Sequence, residues 1–270
     1  MAGEAAREAR PRLHRRRSVD LEIDLDLTAI EVDEFADGAE CTTARVRLSV
    51  DEALALARAA SAPPRGVLYF ASKRAIDVVV AAALLVVMSP LMALIALLIR
   101  LDSRGPAIFT QYRVGENGRL FRFRKFRTMR VDATERFPNL YAYDYDEAEL
   151  PTLFFKLPYD PRCTRFGKHL RRTSLDELPN LVNVLKGEMT LVGPRPEIPQ
   201  MLPYYEPDQY CKFAVKPGMT GPAQVSGRNI LRFVETNAKD FEYVQRRSLW
   251  FDLTILCKTV GVVALMIGAH

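Results

Sequence analysis

Two adjacent acids, Asp176 and Glu177, follow closely on two adjacent arginines, Arg171 and Arg172. Ser174 and Glu177 have the spacing of a capping box, which predicts that a helix begins here with both acids in its first turn. Free N–H groups and the positive end of the helix dipole favour anions at such a place, and arginines bind diphosphates bidentately. The cluster therefore predicts chemistry on a phosphate group, although acids that merely cap a helix would give the same pattern.

The two acids are expected to have different roles, because neighbouring helical residues point in different directions. The arginines and the dipole favour an ionised Asp176, and an ionised carboxylate is a candidate covalent nucleophile. Asp176 and Glu177 together are also a candidate Mg2+ site, since magnesium is held by one or two carboxylates, keeps several waters and shields a phosphate from an anionic attacker.

Two segments further along the chain offer additional cations. Arg195 stands between two prolines, which fix the backbone and lower the entropy cost of holding the guanidinium in place. Arg228 ends the glycine-rich stretch 216–228, where backbone N–H groups can approach a phosphate or nucleotide. Neither segment is a Walker A or a Rossmann fingerprint, and tight turns alone would account for both of them.

The elements that must position these residues begin with an almost wholly apolar segment, Ile76–Ile99. A run of about 18 or more apolar residues is a candidate membrane helix. Pro90 lacks an N–H and clashes with the preceding turn, so it is expected to kink or break the helix at its centre. Ser89 is expected to satisfy backbone groups that the break frees.

Basic residues flank the apolar segment on both sides: Lys73 and Arg74 precede it, and Arg100 and Arg104 follow it. Such residues prefer the cytoplasmic side of a membrane, so a straight crossing would put one pair on the wrong face. A re-entrant hairpin puts both pairs on one face, with Lys73 and Arg74 at the membrane interface. The sequence favours this placement over a kinked span or the buried helix of a soluble protein.

Basic and aromatic residues alternate between Leu120 and Arg127, which predicts a strand with one aromatic and one basic face. Such a strand suits stacking on single-stranded nucleic acid, binding of a phosphorylated metabolite, or contact with anionic lipid. Near the end of the chain, 251–267 is expected to be an apolar helix that packs on the core or on a membrane surface.

Residues 1–68 are expected to be a variable extension and linker, 69–104 the re-entrant helix, and 105–270 the catalytic domain. Within the extension, Ser49 and Glu52 form a second capping box and predict a short helix over 50–60. The proline-containing stretch 61–66 predicts a linker. We expect a flexible or regulatory arm here.

Composition excludes several classes of protein. The 270 residues are 49% hydrophobic and 26% charged, enough for one substantial core. The four cysteines are scattered, which argues against a disulfide scaffold and suits a reducing compartment. The three histidines are too few and too far apart for a zinc site. A mean hydropathy of −0.06 argues against many membrane spans, and the net charge of +5 favours an anionic partner or reflects a solvated basic surface.

A series of short motifs runs along the chain in a fixed order: Lys73-Arg-x-x-Asp77, Ser89-Pro90, Gln111-x-Arg-x-Gly115, Phe123-Arg-Lys-Phe-Arg-Thr-Met129, Arg162-x-Thr-x-x-Gly-x-x-Leu-Arg171, Ser174-Leu-Asp-Glu-Leu-Pro179, Asn183-Val-Leu-Lys-Gly-Glu-Met189, Val192-Gly-Pro-Arg-Pro196, Lys216-Pro-Gly218 and Gln224-x-x-Gly-Arg228. Through these motifs, from about Lys73 onward and over about three quarters of its length, the chain resembles the bacterial sugar transferases. These are monotopic polyprenyl-phosphate phosphoglycosyl transferases that initiate exopolysaccharide and other glycan assembly.

The resemblance implies a fold of mixed α and β structure, rich in helices, with a re-entrant helix broken at Ser89 and Pro90 and a compact cytoplasmic catalytic domain. It implies that Asp176 is the nucleophile, with Glu177 as its partner, that Mg2+ is required, and that Arg171 and Arg195 bind phosphate. Arg172 and Arg228 are weaker candidates for the same role.

The implied reaction begins when Asp176 attacks the β-phosphate of a UDP-sugar, which forms a phosphosugar–enzyme intermediate and releases UMP. Polyprenyl (undecaprenyl) phosphate then takes the phosphosugar. The implied location is the cytoplasmic face of the bacterial inner membrane, in contact with anionic lipid and without nucleic acid as a partner. A non-catalytic scaffold and a nucleic-acid binder are the alternatives. The sugar, the pathway and the oligomeric state, a homodimer included, stay open.

Overall fold

Eight α-helices and four short strands occur in residues 48–146, 148–154, 160–227 and 231–264, the part of the chain that the computed structural model describes. The helices are α1 (Val50–Ala59), α2 (Val67–Asp102), α3 (Ala133–Arg136), α4 (Arg165–Thr173), α5 (Leu181–Lys186), α6 (Pro222–Ser226), α7 (Phe233–Arg246) and α8 (Leu249–Ala264). The strands are β1 (Ile108–Val114), β2 (Leu120–Phe126), β3 (Thr190–Val192) and β4 (Gly218–Thr220). Short 3-10 turns span Glu116–Gly118, Pro138–Tyr141, Leu150–Thr152, Leu175–Asn180, Pro199–Tyr204 and Pro207–Ala214. The expected helix-rich mixture of α and β structure is confirmed.

The strands form two separate two-stranded sheets. β1 and β2 make an antiparallel hairpin in which Ile108 lies opposite Phe126, and β3 pairs with β4 in parallel. The predicted alternation in β2 is confirmed at its start, because Phe121 and Phe123 are buried while Arg122 is exposed. Phe126 breaks the alternation, since it is buried on the other face of the strand against α2 and α4.

Helix α2 continues through Ser89 and Pro90 rather than separating into two helices. Proline cannot donate the bond that a helical residue gives to the carbonyl four positions back, which for Pro90 is the carbonyl of Val86. The Ser89 hydroxyl donates to that same carbonyl at 2.8 Å. The expectation that Ser89 satisfies a backbone group freed by the proline is therefore confirmed, and the bond helps the helix to continue.

The first third of α2 is fastened to the body of the protein by its polar residues. The buried carboxylate of Asp77 accepts hydrogen bonds from the Thr190 hydroxyl at 2.6 Å and from the Leu191 N–H at 2.9 Å. Lys73 forms an ion pair of 2.9 Å with Asp252 of α8. Arg74 donates to two carbonyl oxygens in the last turn of α5, at 2.7 and 2.8 Å. Lys73 and Arg74, expected to face lipid headgroups, thus use their charges inside the protein.

The far end of α2 is fastened to the same body. Ile95 and Ile99 are buried in a cluster with Phe126 and Leu170. The guanidinium of Arg127, which directly follows β2, donates to the carbonyl oxygens of residues 103 and 104 and to the hydroxyl of residue 103. Arg127 also donates to the carbonyl of Ile99, in the last turn of α2, at 3.4 Å, so it holds the end of α2 and the two residues that follow it.

The opposite side of α2 is exposed and apolar. Val79, Val86, Leu94 and Leu101 are each at least half exposed, and the helix is long and apolar enough to cross a membrane by length and composition. Its 36 residues measure about 54 Å at about 1.5 Å per residue. One long apolar helix attached along one face to a globular body is compatible with monotopic membrane insertion.

Helix α1 confirms the second capping box, in which Ser49 accepts from the Glu52 N–H and Glu52 accepts from the Ser49 N–H. Although α1 lies in the segment expected to be an extension, its apolar face is buried. Ala53, Leu54 and Ala57 pack in one cluster with residues of the two 3-10 turns at 199–204 and 207–214. The predicted strand near 21–27 and the basic start of the chain lie outside the described residues.

Candidate active site

Asp176 and Glu177 lie in the 3-10 turn Leu175–Asn180 that connects α4 to α5. The predicted capping box is wrong. Ser174 adopts a left-handed conformation, with φ of 60°, and its side chain does not cap the turn. A helix N-cap needs extended dihedral angles, whereas a left-handed residue is typical just after a helix. Ser174 therefore ends α4 instead, and the acids are held by a tight turn between two helices.

Arg195 reaches the acid pair from the proline-flanked loop after β3. Its Nη2 donates to Glu177 Oε1 at 3.2 Å, with both side chains partly exposed. The Glu177 carboxylate raises the pKa of Arg195, against the effect of burial. The sequence placed Arg195 in the site, and the structure brings it to Glu177.

Glycines behind this loop serve close packing. A Cβ on Gly218 would lie 2.1 Å from the Gly193 nitrogen, and one on Gly221 would lie 2.3 Å from the Gly193 oxygen. These glycines of the stretch 216–228 therefore let two backbone segments touch, which holds the Arg195 loop in position. Arg228 itself lies outside the described residues.

Arg171, in the last turn of α4, is held by a carboxylate that sequence reasoning missed. Its Nη1 lies 2.8 Å from Asp160 Oδ2, and Arg162 binds the same carboxylate through Nε at 2.8 Å and Nη2 at 2.9 Å. Burial alone would raise the pKa of Asp160, but the hydrogen bonds from the two arginines outweigh it and lower the pKa to about 2. Asp160 fixes Arg171, while Arg172, the next residue, is exposed. The sequence could have indicated this role, because Asp160 lies two residues before Arg162, within reach of an ion pair.

Lys125 on β2 is a second residue that sequence reasoning missed. Burial lowers the pKa of Lys125 to about 8; Asp176 and Glu177 oppose the shift, and Arg113 and Arg171 add to it. Strand periodicity could have found Lys125, because it lies on the same face of β2 as Phe121 and Phe123. Its ammonium also lies 5.4 Å from the ring centre of Phe109.

The site thus combines two carboxylates with several cations. Asp176 is 8% exposed, and the side chain of Glu177 is 22% exposed. Arg195, Arg171 and Lys125 add positive charge around them, which suits an anionic ligand with more than one phosphate.

The acid pair also suits a magnesium ion. No group of three or more metal-binding side chains occurs in the described part of the chain. Magnesium needs only one or two protein carboxylates when phosphates and waters complete its coordination, so the two adjacent acids fit such an ion.

The family model described as bacterial sugar transferase matches residues 68–266. The galactosyl transferase CpsE of Streptococcus agalactiae serotype III is 48% identical over 166 residues, which cover 61% of this chain and 36% of CpsE. The undecaprenyl-phosphate galactose phosphotransferase of Salmonella typhimurium is 43% identical over 198 residues, covering 73% of this chain and 41% of that protein.

A shorter relative matches over most of its length. The exopolysaccharide production protein ExoY of Rhizobium meliloti is 39% identical over 199 residues, which cover 74% of this chain and 88% of ExoY. By contrast, the chain spans well under half the length of CpsE and of the Salmonella protein. Helix α1 and everything before it lie outside the part that matches the family model.

Proposed function

The chain belongs to the bacterial sugar transferase family, and from this premise we propose that it transfers a phosphosugar from a UDP-sugar to polyprenyl phosphate. Names of relatives support the reaction: one is the undecaprenyl-phosphate galactose phosphotransferase, another the UDP-glucose:undecaprenyl-phosphate glucose-1-phosphate transferase of Caulobacter vibrioides, 42% identical over 196 residues. The observation that carries the proposal is the acid pair Asp176–Glu177, held against Arg195 and surrounded by further cations.

Asp176 is the nucleophile in this proposal. One of its carboxylate oxygens attacks the β-phosphorus of the UDP-sugar, and the bond from that phosphorus to the oxygen bridging to the α-phosphate breaks. UMP leaves with the electron pair of that bond, and the sugar phosphate stays on Asp176. A phosphate oxygen of the polyprenyl phosphate then attacks the same phosphorus, which releases the polyprenyl-diphosphate-sugar and regenerates the carboxylate. The covalent step predicts ping-pong kinetics.

The surrounding residues bind and neutralise the diphosphate. Arg195 and Arg171 supply two guanidinium groups, and each is already oriented by a carboxylate, Glu177 for Arg195 and Asp160 for Arg171. Protonated Lys125 adds a third cation. Asp176 and Glu177 would together hold Mg2+, which, when bound, neutralises phosphate charge that would otherwise repel the attacking carboxylate.

We propose that α2 bends at Ser89 and Pro90, because a proline inside a helix can bend it without ending it. The helix then enters one leaflet from the cytoplasmic face of the bacterial inner membrane and returns to the same face, with these two residues at the deepest point. Asp77 near its start and Ile99 near its end are both buried against the same body. A helix that crosses a bilayer would carry one of these ends away from that body. The exposed apolar side would face lipid, and anionic headgroups would attract exposed basic residues such as Arg100 and Arg122.

The test is UMP release from a panel of UDP-sugars with undecaprenyl phosphate and Mg2+. We expect release with at least one donor, its loss in Asp176→Asn, and wild-type rates in Asp208→Asn, which changes an exposed acid outside the site. Undiminished release in Asp176→Asn would refute the nucleophile. No release from any donor would favour the scaffold alternative.

The membrane placement has its own test. Single cysteines at Val67 and Leu101, both exposed at opposite ends of α2, should react with a membrane-impermeant thiol reagent from the same side of sealed vesicles. Labelling from opposite sides would show that α2 crosses the membrane.

A further inference from the structure

Behind the Arg195 loop lies a cluster of buried charges that the reaction above does not use. Lys212, Asp240, Glu197 and Tyr205 are each at most 6% exposed. Lys212 Nζ lies 3.0 Å from Asp240 Oδ2 and 4.0 Å from Glu197 Oε2. It also donates to the Tyr205 hydroxyl at 2.7 Å, which in turn donates to Glu197 at 2.9 Å. The four side chains form one connected network in the core.

This network and its neighbours hold the backbone that directly follows Arg195. Arg113 donates to the Pro196 carbonyl at 3.2 Å, and the Val114 N–H donates to the Glu197 carbonyl at 2.8 Å. The Glu197 carboxylate accepts from the Ile198 N–H at 3.0 Å. Three successive residues after Arg195 are therefore tied to fixed partners.

Asp240 is connected to this segment through Lys212. It is completely buried on α7, and its Oδ2 lies 3.0 Å from Lys212 Nζ. The same ammonium lies 4.0 Å from Glu197 Oε2 and donates to the Tyr205 hydroxyl that bonds Glu197. Burial raises the pKa of Asp240, while Lys212 acts against the rise. Asp240 therefore fixes the cation that holds Glu197, two residues after Arg195.

Stability alone does not account for these charges. A buried ion pair contributes little more than well-packed apolar residues of the same volume, and often less. The same charges, however, define the direction of a backbone segment much more narrowly than apolar contacts do, because they act at specific N–H and carbonyl groups.

We propose that Asp240 and Lys212 are positioning residues, which act through Glu197 to hold the backbone next to Arg195 so that its guanidinium meets Glu177 and the diphosphate of the donor. The inference rests on the proposed function for the identity of that donor. It predicts that removing both charges together weakens binding of a diphosphate but changes the stability of the fold little.

The experiment compares Asp240→Asn, Lys212→Met and the double variant that carries both changes. Each single variant leaves a buried charge without its partner and should lower the thermal midpoint. The double variant removes both charges, so its midpoint should return close to that of the wild type. Its KM for the UDP-sugar should nevertheless stay about tenfold higher, with a smaller change in kcat, because a guanidinium held less firmly binds the diphosphate less well.

A matched control comes from the same core. Tyr210→Phe removes a buried hydrogen bond to the Leu202 carbonyl without touching the charged network, so it should lower the thermal midpoint and leave KM unchanged. If the double variant regains both the midpoint and the KM of the wild type, the network is structural only and the proposal is wrong. A double variant that stays destabilised and keeps the KM of the wild type would also contradict the proposal.

A second readout separates this proposal from the proposed function. Binding of inorganic pyrophosphate, measured by calorimetry on the same proteins, does not depend on turnover. If the wild type releases no UMP but binds pyrophosphate about tenfold more tightly than the double variant, the proposed function fails and the positioning role stands. Equal pyrophosphate affinities in the two proteins, or no binding by either, would overturn the positioning role.

Discussion

Replacing Asp77 by leucine should weaken the attachment of α2 to the body of the protein. The Asp77 carboxylate accepts from the Thr190 hydroxyl and the Leu191 N–H, and both contacts are buried. A buried donor left without an acceptor costs about 1–3 kcal/mol, so the loss of two acceptors should cost about 4 kcal/mol. For a folded region of about 200 residues each kcal/mol corresponds to about 2–4 °C, which predicts a fall of about 12 °C in the thermal midpoint.

The assay is thermal unfolding of the detergent-solubilised protein, combined with a double-mutant cycle. In a Thr190→Val background one of the two donors is already gone, so Asp77→Leu should cost about 2 kcal/mol less than in the wild type. Asp102→Asn, at the exposed end of the same helix, is the control and should leave the midpoint unchanged. Asp77→Leu should still be recovered with membranes, because the apolar side of α2 is intact. A midpoint within about 2 °C of the wild type would refute the idea that this carboxylate fastens the helix.

Three further predictions concern single residues. Ser89→Ala should lower the thermal midpoint by a few degrees, and by less in a Pro90→Ala background, where the restored N–H takes over the Val86 carbonyl; equal shifts would contradict this. Asp160→Asn should be less stable than the wild type near neutral pH. Because the pKa of Asp160 lies at about 2 instead of its ordinary 3.8, the carboxylate stabilises the fold above 3.8, and the difference in midpoint should shrink as pH falls toward 2; a constant difference would contradict it. Lys125, with a pKa lowered to about 8, is charged below that pH, so kcat/KM for UMP release should fall as pH rises through about 8. Lys125→Arg should remove that fall, and an identical profile would exclude Lys125 as its cause.

Local patterns predicted much of the fold. The capping box at Ser49 and Glu52 predicted α1, and the alternation in β2 predicted a strand with one aromatic and one basic face, which is confirmed at the start of the strand. Ser89 was predicted to replace a lost backbone bond, since a proline in a helix frees a specific carbonyl. These features depend on residues within a few positions of one another, which is why the sequence alone was sufficient.

Other features depend on competition between distant partners. Ser174 had the spacing of an N-cap, but in the structure it ends α4 in a left-handed conformation. Lys73 and Arg74 had the charge expected at lipid headgroups, but Asp252 binds Lys73, and two carbonyl oxygens in the last turn of α5 bind Arg74. Nothing in the spacing of the sequence reveals that such partners lie nearby.

The residues of the candidate site likewise fall into those that local motifs predicted and those that only the fold reveals. Asp176, Glu177, Arg171 and Arg195 were predicted from short motifs with a chemical interpretation, and the structure brings Glu177 to Arg195. Asp160 and Asp240 were not predicted, because each acts through a cation that is distant in the sequence, Arg171 for Asp160 and Lys212 for Asp240.

The covalent intermediate is the claim on which the mechanism depends most, and mass spectrometry tests it directly. The protein is incubated with an accepted UDP-sugar and Mg2+, without polyprenyl phosphate, and then digested. We predict a phosphosugar adduct on the peptide that contains Asp176, formed together with one equivalent of UMP and removed when polyprenyl phosphate is added. UMP formation that requires both substrates at once, with no adduct on Asp176, would contradict the account.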